Sequence, residues 1–265
     1  MSQTTAIEPL RKFSQDADGW IPKIAALMNR RPEEATRFIL MTKNAVAANE
    51  YLLQCDQKSL FLAVCNAAQT GLEPAPQLGH LYFVSRKGKV QCQVGYRGFI
   101  ALASRADPLA VFQAGIVRQG DEFSYELGTS PRVSHVLSTN VKAPFTHVWA
   151  SCRRANGALA ADVMLIEEVN KIRDRCSESA NSQKGSAYSP WNTSYEAMAK
   201  KTVLRRMLKL MPLSSEMQRA ITIDEEADIQ DAGLKRVGAV EALKATLKPK
   251  TVPPDDLGFD GEIPE

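Results

Sequence analysis

Residues 80–105 read HLYFVSRKGKVQCQVGYRGFIALASR and contain two strands, a tight turn and the start of a helix. Apolar and polar residues alternate in residues 80–85 and again in 89–95, which is the period of a half-buried strand. Arg86-Lys87-Gly88 between them has the composition of a hairpin turn. Gly95-Tyr96-Arg97-Gly98 ends the second strand, and FIALASR then shows helical spacing. A hairpin followed directly by a helix favours an α+β fold with antiparallel strands.

The flanking segments extend this pattern on both sides of the hairpin. Helical spacing predicts helices over residues 33–49 and 56–70, the second with Asp56 as N-cap and Gly71 as its stop. The proline-rich residues 73–79 are predicted to be irregular. Residues 110–137 are expected to form two or three short strands. A further hairpin joins residues 145–154 to 158–166 through Asn156-Gly157, a dipeptide favoured by type I′ turns.

Helices dominate the predictions for the two ends of the chain. We predict one short helix near residues 20–28, a helix over 167–176, a polar loop over 177–190, and a long helix from 192 to about 211 stopped by Pro212. A further helix is possible near residues 234–247. The expected division is an N-terminal arm (1–32), a core (33–223) and an acidic, partly disordered C-terminal segment (224–265).

Composition and length exclude several classes of protein. The 265 residues are 44% hydrophobic and 24% charged, which is ordinary for a globular chain. No apolar run approaches the ~20 residues of a membrane-spanning helix, and the N-terminus lacks a secretory signal, so we expect a cytoplasmic protein without membrane contact. The five cysteines have neither metal-site nor disulfide-framework spacing, and we expect them to be small buried residues.

Charge is distributed unevenly along the chain. Residues 224–265 carry eleven acids and five bases, a net charge of −6, which leaves +9 for residues 1–223 because the whole chain carries +3. A basic body of this kind points to a polyanionic partner. The acid-rich end suggests a segment that docks a partner or mimics DNA.

The helix predicted from residue 192 carries a basic stripe. At 3.6 residues per turn, Lys201, Arg205 and Lys209 fall on one side with Arg206 close by, opposite a broad apolar face. No acid occurs among residues 197–211 to offset these charges, so we interpret the stripe as a surface for phosphates. A solvated face of a core helix is the alternative explanation. Lys200 falls within the apolar arc, where it needs either a phosphate at the edge or an acid such as Glu196.

The first hairpin and the turn after it add further cations. Arg97 can place its guanidinium on a phosphate and Tyr96 can stack on a base, while Gly95 and Gly98 would allow a ligand to approach the backbone. A tight strand-to-helix turn is the alternative explanation of the two glycines. Further cations are predicted at hairpin tips and on the helix over 167–176: Arg86, Lys87, Arg153, Arg154, Lys171, Arg173 and Arg175.

Signatures of catalysis are sparse. The sequence has no GxxxxGK[ST] loop, no GxGxxG after a strand and no HExxH. His80, His135 and His147 are interpreted as strand residues. Asp162, Glu167 and Lys171 have unconvincing spacing for a metal-dependent nuclease. We therefore expect no catalytic residues, no bound metal and no use of ATP.

Five ordered motifs resemble the RecT family of phage and prophage single-strand annealing recombinases over roughly residues 35–225. They are Gly71-Leu72-Glu73-Pro74 with Leu78-Gly79-His80 and Tyr82; Gly95-Tyr96-Arg97-Gly98 with Ile100, Leu102, Ala103 and Arg105; Gly120-Asp121-Glu122-Phe123-Ser124 with Glu126; Thr146-His147-Val148; and Trp191 with Met198-Ala199-Lys200-Lys201-Thr202, Arg205-Arg206, Lys209, Pro212 and Ser214.

This resemblance implies an α+β core similar to that of the single-strand annealing superfamily. It also implies ATP-independent pairing of complementary single strands, binding of the nascent duplex, and assembly into rings or helical filaments. The implied partners are a phage 5′-to-3′ exonuclease and a host single-strand binding protein, with Mg²⁺ stimulatory rather than required. The family's first hairpin commonly has a proline near its turn, which this sequence lacks.

Residue chemistry and resemblance predict the same site. A groove between the basic helix and the hairpin would neutralise one strand's phosphates through Arg97, Lys200, Lys201, Arg205, Arg206 and Lys209, leaving its bases exposed to a second strand. Two other functions stay open. One is a metal-dependent nuclease, and the other is a duplex-binding architectural or regulatory protein.

Overall fold

A computed structural model describes residues 4–176 and 189–231, and side-chain surroundings for residues 8–176 and 189–229. The predicted α+β class is confirmed, with three small antiparallel sheets packed with helices. The helices are α1 (Thr4–Gly19), α2 (Ile21–Met28), α3 (Pro32–Ala47), α4 (Gln57–Thr70), α5 (Tyr96–Ala106), α6 (Ile166–Cys176), α7 (Pro190–Thr193), α8 (Tyr195–Leu208) and α9 (Ser215–Asp231). The strands are β1 (Leu81–Arg86), β2 (Lys89–Val94), β3 (Val111–Arg118), β4 (Glu122–Glu126), β5 (Arg132–Val136), β6 (Phe145–Arg153) and β7 (Leu159–Leu165).

The first hairpin has the predicted architecture. β1 and β2 pair antiparallel, from Leu81 opposite Val94 to Arg86 opposite Lys89. Lys87 and Gly88 connect them with φ angles of 49° and 74°, as a two-residue turn of primed type requires. One face of the hairpin is buried and carries Leu81, Phe83, Val90, Cys92 and Val94. The other face is directed toward solvent, so the hairpin is anchored on one side only.

The two glycines of the Gly95–Gly98 turn accommodate the protein's own backbone. A Cβ on Gly95 would lie 2.2 Å from the carbonyl oxygen of Gly79, and a Cβ on Gly98 would lie 2.2 Å from that of His80. The Gly95 N–H also donates to the His80 carbonyl at 2.9 Å. The hypothesis that these glycines make room for a ligand is therefore wrong, and the tight-turn explanation is correct.

The remaining strands form two sheets. β6 lies between β3 and β7, and β4 pairs with β5, which agrees with the two or three short strands predicted for residues 110–137. In the turn between β6 and β7, Gly157 has a φ of 83° but Asn156 does not have a positive φ. The predicted type I′ turn is therefore wrong. A β-turn over residues 154–157 takes its place, with the Gly157 N–H donating to the Arg154 carbonyl at 3.0 Å.

The helices before the first hairpin belong to the core. α2 confirms the predicted helix at residues 20–28, whereas α1 was not predicted, and Phe13, Ala17 and Ile24 from these helices are buried in the same cluster as the rest of the core. α3 and α4 were predicted. The Asp56 carboxylate accepts from the Ser59 N–H at 2.8 Å, and Gly71 ends α4 at a φ of 64°.

The C-terminal helices differ most from prediction. The single helix expected from residue 192 is divided at Ser194 into α7 and α8, and α8 ends at Leu208. α9 was not predicted, yet it buries Met217, Ala220, Ile221, Ile223 and Ala227. The loop predicted over 177–190 (except its last two residues) and the helix predicted near 234–247 lie outside the described residues. The three-part division of the chain stays a prediction.

No helix in residues 4–176 and 189–231 has both the length and the apolar composition needed to cross a membrane.

Replacing Gly98 with alanine tests the close approach of the backbone at Gly79 and His80 to the Gly95–Gly98 turn. The new Cβ would meet a backbone oxygen at 2.2 Å, so we expect Gly98→Ala to lower the free energy of unfolding by about 2–3 kcal/mol through overpacking. Gly19→Ala is the matched control because nothing lies within 4 Å of its Cβ position. Urea unfolding followed by circular dichroism measures both. Equal urea unfolding midpoints for the two variants would contradict this close backbone approach.

Candidate nucleic-acid interface

An open groove of about 1330 Å³ lies between the first hairpin, the start of α5 and the segment α7–α8. This is the location that the sequence predicted for a DNA-binding groove. Its lining includes five of the predicted site residues: Arg86, Lys87, Tyr96, Arg97 and Lys201. Two walls of the groove come from elements whose sequence is rich in cations and aromatic rings.

The solvent face of the first hairpin forms one wall. Its three cross-strand pairs are Tyr82 with Gln93, Val84 with Gln91, and Arg86 with Lys89. An aromatic ring therefore lies at the base of the hairpin, amides lie in the middle, and two cations lie near the tip. A ring can stack on bases, amides can hydrogen-bond to base edges, and cations can bind phosphates.

Arg97 projects from the first turn of α5 beside this wall. Its side chain is exposed, and its Nε donates to the Tyr96 hydroxyl at 3.3 Å. This hydrogen bond raises the pKa of Arg97 above its ordinary value. Within the described part of the chain no carboxylate forms an ion pair with Arg97. The guanidinium is thus oriented by Tyr96 and available to a phosphate.

Two groove tyrosines were not selected from the sequence. Tyr51 and Tyr82 line the groove and are 56% and 39% exposed, so both rings can be reached by a ligand. Tyr82 could have been found, since it is an aromatic residue on the polar face of a strand. Tyr51 lies in the 3₁₀ segment Glu50–Gln54, whose sequence has no periodic pattern. Together with Tyr96 they supply three aromatic rings to one groove.

The basic stripe of α8 is not the exposed surface that the sequence predicted. Lys201 is only 4% exposed, and its Nζ donates to Asp224 of α9 at 2.6 Å. Arg205 donates to Asp224 at 2.6 Å and to Asp228 at 2.7 Å. The acids that offset the stripe come from a neighbouring helix and not from α8 itself. These two cations are therefore held within the protein.

The other cations of α8, and Lys209 just after its end, also have acidic partners. Arg206 forms a bidentate pair with Asp162 of β7, at 2.5 and 2.7 Å, and Lys209 pairs with Glu225. The Lys200 Nζ lies 3.7 Å from the Glu196 Oε2, and Glu196 is the acid that the sequence suggested as its partner. None of Lys200, Arg205, Arg206 and Lys209 lines the groove. Contact of these residues with DNA stays a prediction.

The cations of α6 lie away from the groove as well. Arg173 donates to Asp174 at 2.8 Å, and Lys171 and Arg175 are exposed. None of the three lines the groove. The structure therefore brings together the hairpin and α5 members of the predicted site and separates them from the α6 members.

Asp224 is the centre of a buried ionic network. It is fully buried, and besides Lys201 and Arg205 it accepts from the Val94 N–H of β2 at 3.3 Å. Burial alone would lower the pKa of Arg205, but the carboxylates of Asp224 and Asp228 raise it overall, so the guanidinium stays charged. Burial raises the pKa of Asp228. The network connects α8, α9 and β2.

Asp162, His135 and His147, which were considered as catalytic or metal-binding residues, have hydrogen-bond partners within the protein. Asp162 is occupied by Arg206, and no group of three or more His, Cys, Asp or Glu side chains in residues 8–176 and 189–229 could hold a metal ion. His135 and His147 lie on strands, as predicted, whereas His80 lies just before β1, so the prediction is wrong for His80. Cys55, Cys65, Cys92 and Cys152 are buried free thiols, which confirms that prediction for four of the five cysteines.

Comparison with known proteins agrees with the motifs. The RecT family model matches residues 36–235. Protein RecT of Escherichia coli (strain K12) is 38% identical over 200 residues, covering 72% of each chain. Uncharacterized protein YqaK of Bacillus subtilis (strain 168) is 25% identical over 213 residues, covering 78% of this chain and 69% of its own. The matched region contains the groove and the ionic network.

The ionic network can be tested by removing one charge. Asp224→Asn keeps the side-chain size but leaves Lys201 and Arg205 buried with a missing counter-charge. We expect it to lower the free energy of unfolding by about 3–5 kcal/mol. Glu225→Gln, one residue along the helix, breaks only the exposed pair with Lys209 and should cost less than about 1 kcal/mol. Chemical unfolding measures both, and similar losses would refute a central role for Asp224.

Proposed function

The chain belongs to the RecT family, which implies a role in recombination by single-strand annealing, and we propose that it pairs complementary DNA strands without ATP. The groove beside the first hairpin is the proposed binding site for the first strand. Its contacts are Arg86, Lys87 and Arg97, with Lys89 at the hairpin tip and the rings of Tyr51, Tyr82 and Tyr96. This set keeps Arg86, Lys87, Tyr96 and Arg97 from the residues that the sequence predicted and adds Lys89, Tyr51 and Tyr82.

The observation that carries the proposal is the groove's combination of cations and accessible rings. Four predicted cations line it, one of them the buried Lys201, together with three tyrosines. Arg97 has no carboxylate partner within the described residues. Contacts to phosphates depend little on sequence, and stacking accepts any base, worth about 1–3 kcal/mol per base. An annealing protein needs this tolerance because its substrates share complementarity rather than a common sequence.

Phosphate neutralisation also provides the mechanism. Two single strands repel each other through their phosphates, and cations along one strand reduce that repulsion. A strand held by its backbone keeps base edges available for a second strand. Base pairing itself then supplies the free energy, so the reaction needs neither ATP nor a catalytic residue. We propose that no cofactor is required and that Mg²⁺ stimulates by screening the incoming strand.

The α8 cations are assigned a positioning role in this proposal. Lys201 lines the groove but is tied to Asp224, and Arg205 is tied to Asp224 and Asp228. They hold the helix that forms the second wall. On the resemblance alone, we also propose a 5′-to-3′ exonuclease and a host single-strand binding protein as partners, and the cytoplasm of a bacterial cell as the location.

A strand-annealing time course tests the function and the site together. Complementary dye-labelled oligonucleotides are mixed without ATP, and we expect the wild type to accelerate pairing. Lys89→Ala/Arg97→Ala should weaken single-strand binding and annealing at least about tenfold, which corresponds to about 1.4 kcal/mol. The control variant Arg11→Ala/Lys12→Ala also removes one arginine and one lysine, but from exposed positions on α1 outside the groove. It should behave as the wild type does.

Other outcomes of this experiment would favour one of the two alternative functions, a metal-dependent nuclease or a duplex-binding protein. Cleavage of the labelled strands when Mg²⁺ or Mn²⁺ is added would indicate a nuclease. Tighter binding to duplex than to single strands, with no acceleration at any salt concentration, would indicate an architectural or regulatory protein. Equal loss in both double variants would contradict the assignment of the groove.

Salt dependence provides an independent measurement of the contacts. Each phosphate neutralised on single-stranded DNA contributes roughly −0.7 to the slope of log affinity against log salt. If Lys89 and Arg97 each bind one phosphate, their double alanine variant should have a slope less steep by about 1.4. The loss should be the same for oligonucleotides of different sequence. A sequence-dependent loss would argue against backbone binding.

A further inference from the structure

The sheet formed by β3, β6 and β7 has one face that is only partly covered. On the inner face, Val148, Ala150 and Cys152 of β6 are buried where α8 packs on the sheet. On the outer face, the β4–β5 hairpin covers the end that carries His147 and Trp149. The Trp149 Nε1 donates to His135 Nδ1 at 3.1 Å, and the ring centroids of Phe123 and His147 are 5.3 Å apart.

The opposite end of this outer face is open. Val111, Arg153 and Leu159 form one cross-strand row there, which we call the open row. Val111 is 45% exposed and Leu159 is 48% exposed. Arg153 between them is also exposed, and no carboxylate in the described part of the chain forms an ion pair with it. The open row is thus a cation flanked by two aliphatic side chains.

The end of the β4–β5 hairpin where Glu122 pairs with Val136 carries the complementary pattern. Glu122 lies opposite Val136, and Leu137 follows in the chain; we call these three residues the hairpin patch. Val136 is 56% exposed and Leu137 is 72% exposed. Glu122 is exposed and forms no ion pair within the described ranges, whereas Glu126 on the same strand lies opposite Arg132. The hairpin patch is thus an anion beside two aliphatic side chains.

The two surfaces of one copy are separated along the sheet. The open row lies at position 111 of β3, and the hairpin packs at the end of the sheet near Val117, which is paired with His147. Six residues of strand correspond to about 20 Å. Arg153 of the open row and Glu122 of the hairpin patch therefore do not pair with each other within one copy. Neither forms an ion pair with another described residue of the same copy.

We propose that the open row of one copy binds the hairpin patch of a second copy. The open row and the hairpin patch have opposite charges, and both include exposed aliphatic side chains. Because the same chain carries both surfaces, a second copy can supply the surface that each one needs. Two different surfaces in contact make a head-to-tail interface, which repeats into a closed ring or an open filament. The inference deepens the proposed function and rests on it, since the family that the function is drawn from is expected to assemble.

Charge reversal tests this interface in the absence of DNA. Mass photometry and light scattering of the full chain measure the concentration at which half of the protein is assembled. Arg153→Glu and Glu122→Arg should each raise that concentration at least tenfold. Arg11→Glu is the control, because it reverses an exposed cation on α1 and should leave assembly unchanged. Circular dichroism confirms that each variant is folded.

Two restorations distinguish a direct contact from general disturbance of the surface. The double variant Arg153→Glu/Glu122→Arg should assemble nearly as the wild type does. An equal mixture of the two single variants should also assemble, since each supplies the charge that the other's surface needs. Wild-type assembly by either single variant would overturn the proposal, as would failure of both restorations.

The readout is independent of DNA binding. If annealing fails while assembly responds to the charge reversals as described, then the proposed function is wrong and the interface is right. If annealing succeeds and assembly ignores the reversals, then the interface is wrong and the proposed function is unaffected.

Discussion

The carboxylate of Asp224 is the interaction on which the position of the groove depends. It is fully buried and accepts from Lys201, Arg205 and the Val94 backbone, so one side chain connects α8, α9 and β2. Ions buried at this depth are tolerated only when their partners are all in place, because each has lost the hydration it had in water. β2 belongs to the first hairpin and α8 to the opposite wall, so this requirement sets the distance between the two walls.

A steric constraint acts together with the ionic one. The segment at Gly79 and His80 passes so close to Gly95 and Gly98 that neither glycine can carry a side chain. The crossing fixes where α5 begins relative to β1, and so it places Tyr96 and Arg97 at the edge of the hairpin's solvent face. Backbone contact and buried charge thus determine the site's geometry, while the side chains that would meet a ligand remain at the surface.

These two constraints explain which features could be predicted from the sequence. The first hairpin, the end of α4 at Gly71 and the start of α5 depend on neighbouring residues, and local patterns indicated each of them correctly. α9 was missed because its acids resembled the start of a solvated tail, although its apolar side chains are buried. The partners of Lys201 and Arg205 lie 23 and 19 residues away, and helical spacing within α8 contains no information about them. Lys200 was placed in the apolar arc, whereas its neighbour Lys201 is the buried lysine, because the packing of α9 decides which side of α8 is covered.

The neutralised stripe changes how a DNA strand would be held. Helical spacing suggested a basic stripe along α8, but Asp224, Glu225 and Asp228 from the acidic end of the chain pair with Lys201 and Arg205 of that helix and with Lys209, which follows it. The cations of the proposed site lie near the hairpin and at Arg97, so one copy would contact only a few phosphates. A strand bound by a few weak contacts per copy gains affinity mainly from many copies side by side, because each copy already bound raises the effective concentration of the next. If a strand binds in this groove, side-by-side copies would therefore lengthen the time for which it is held for pairing.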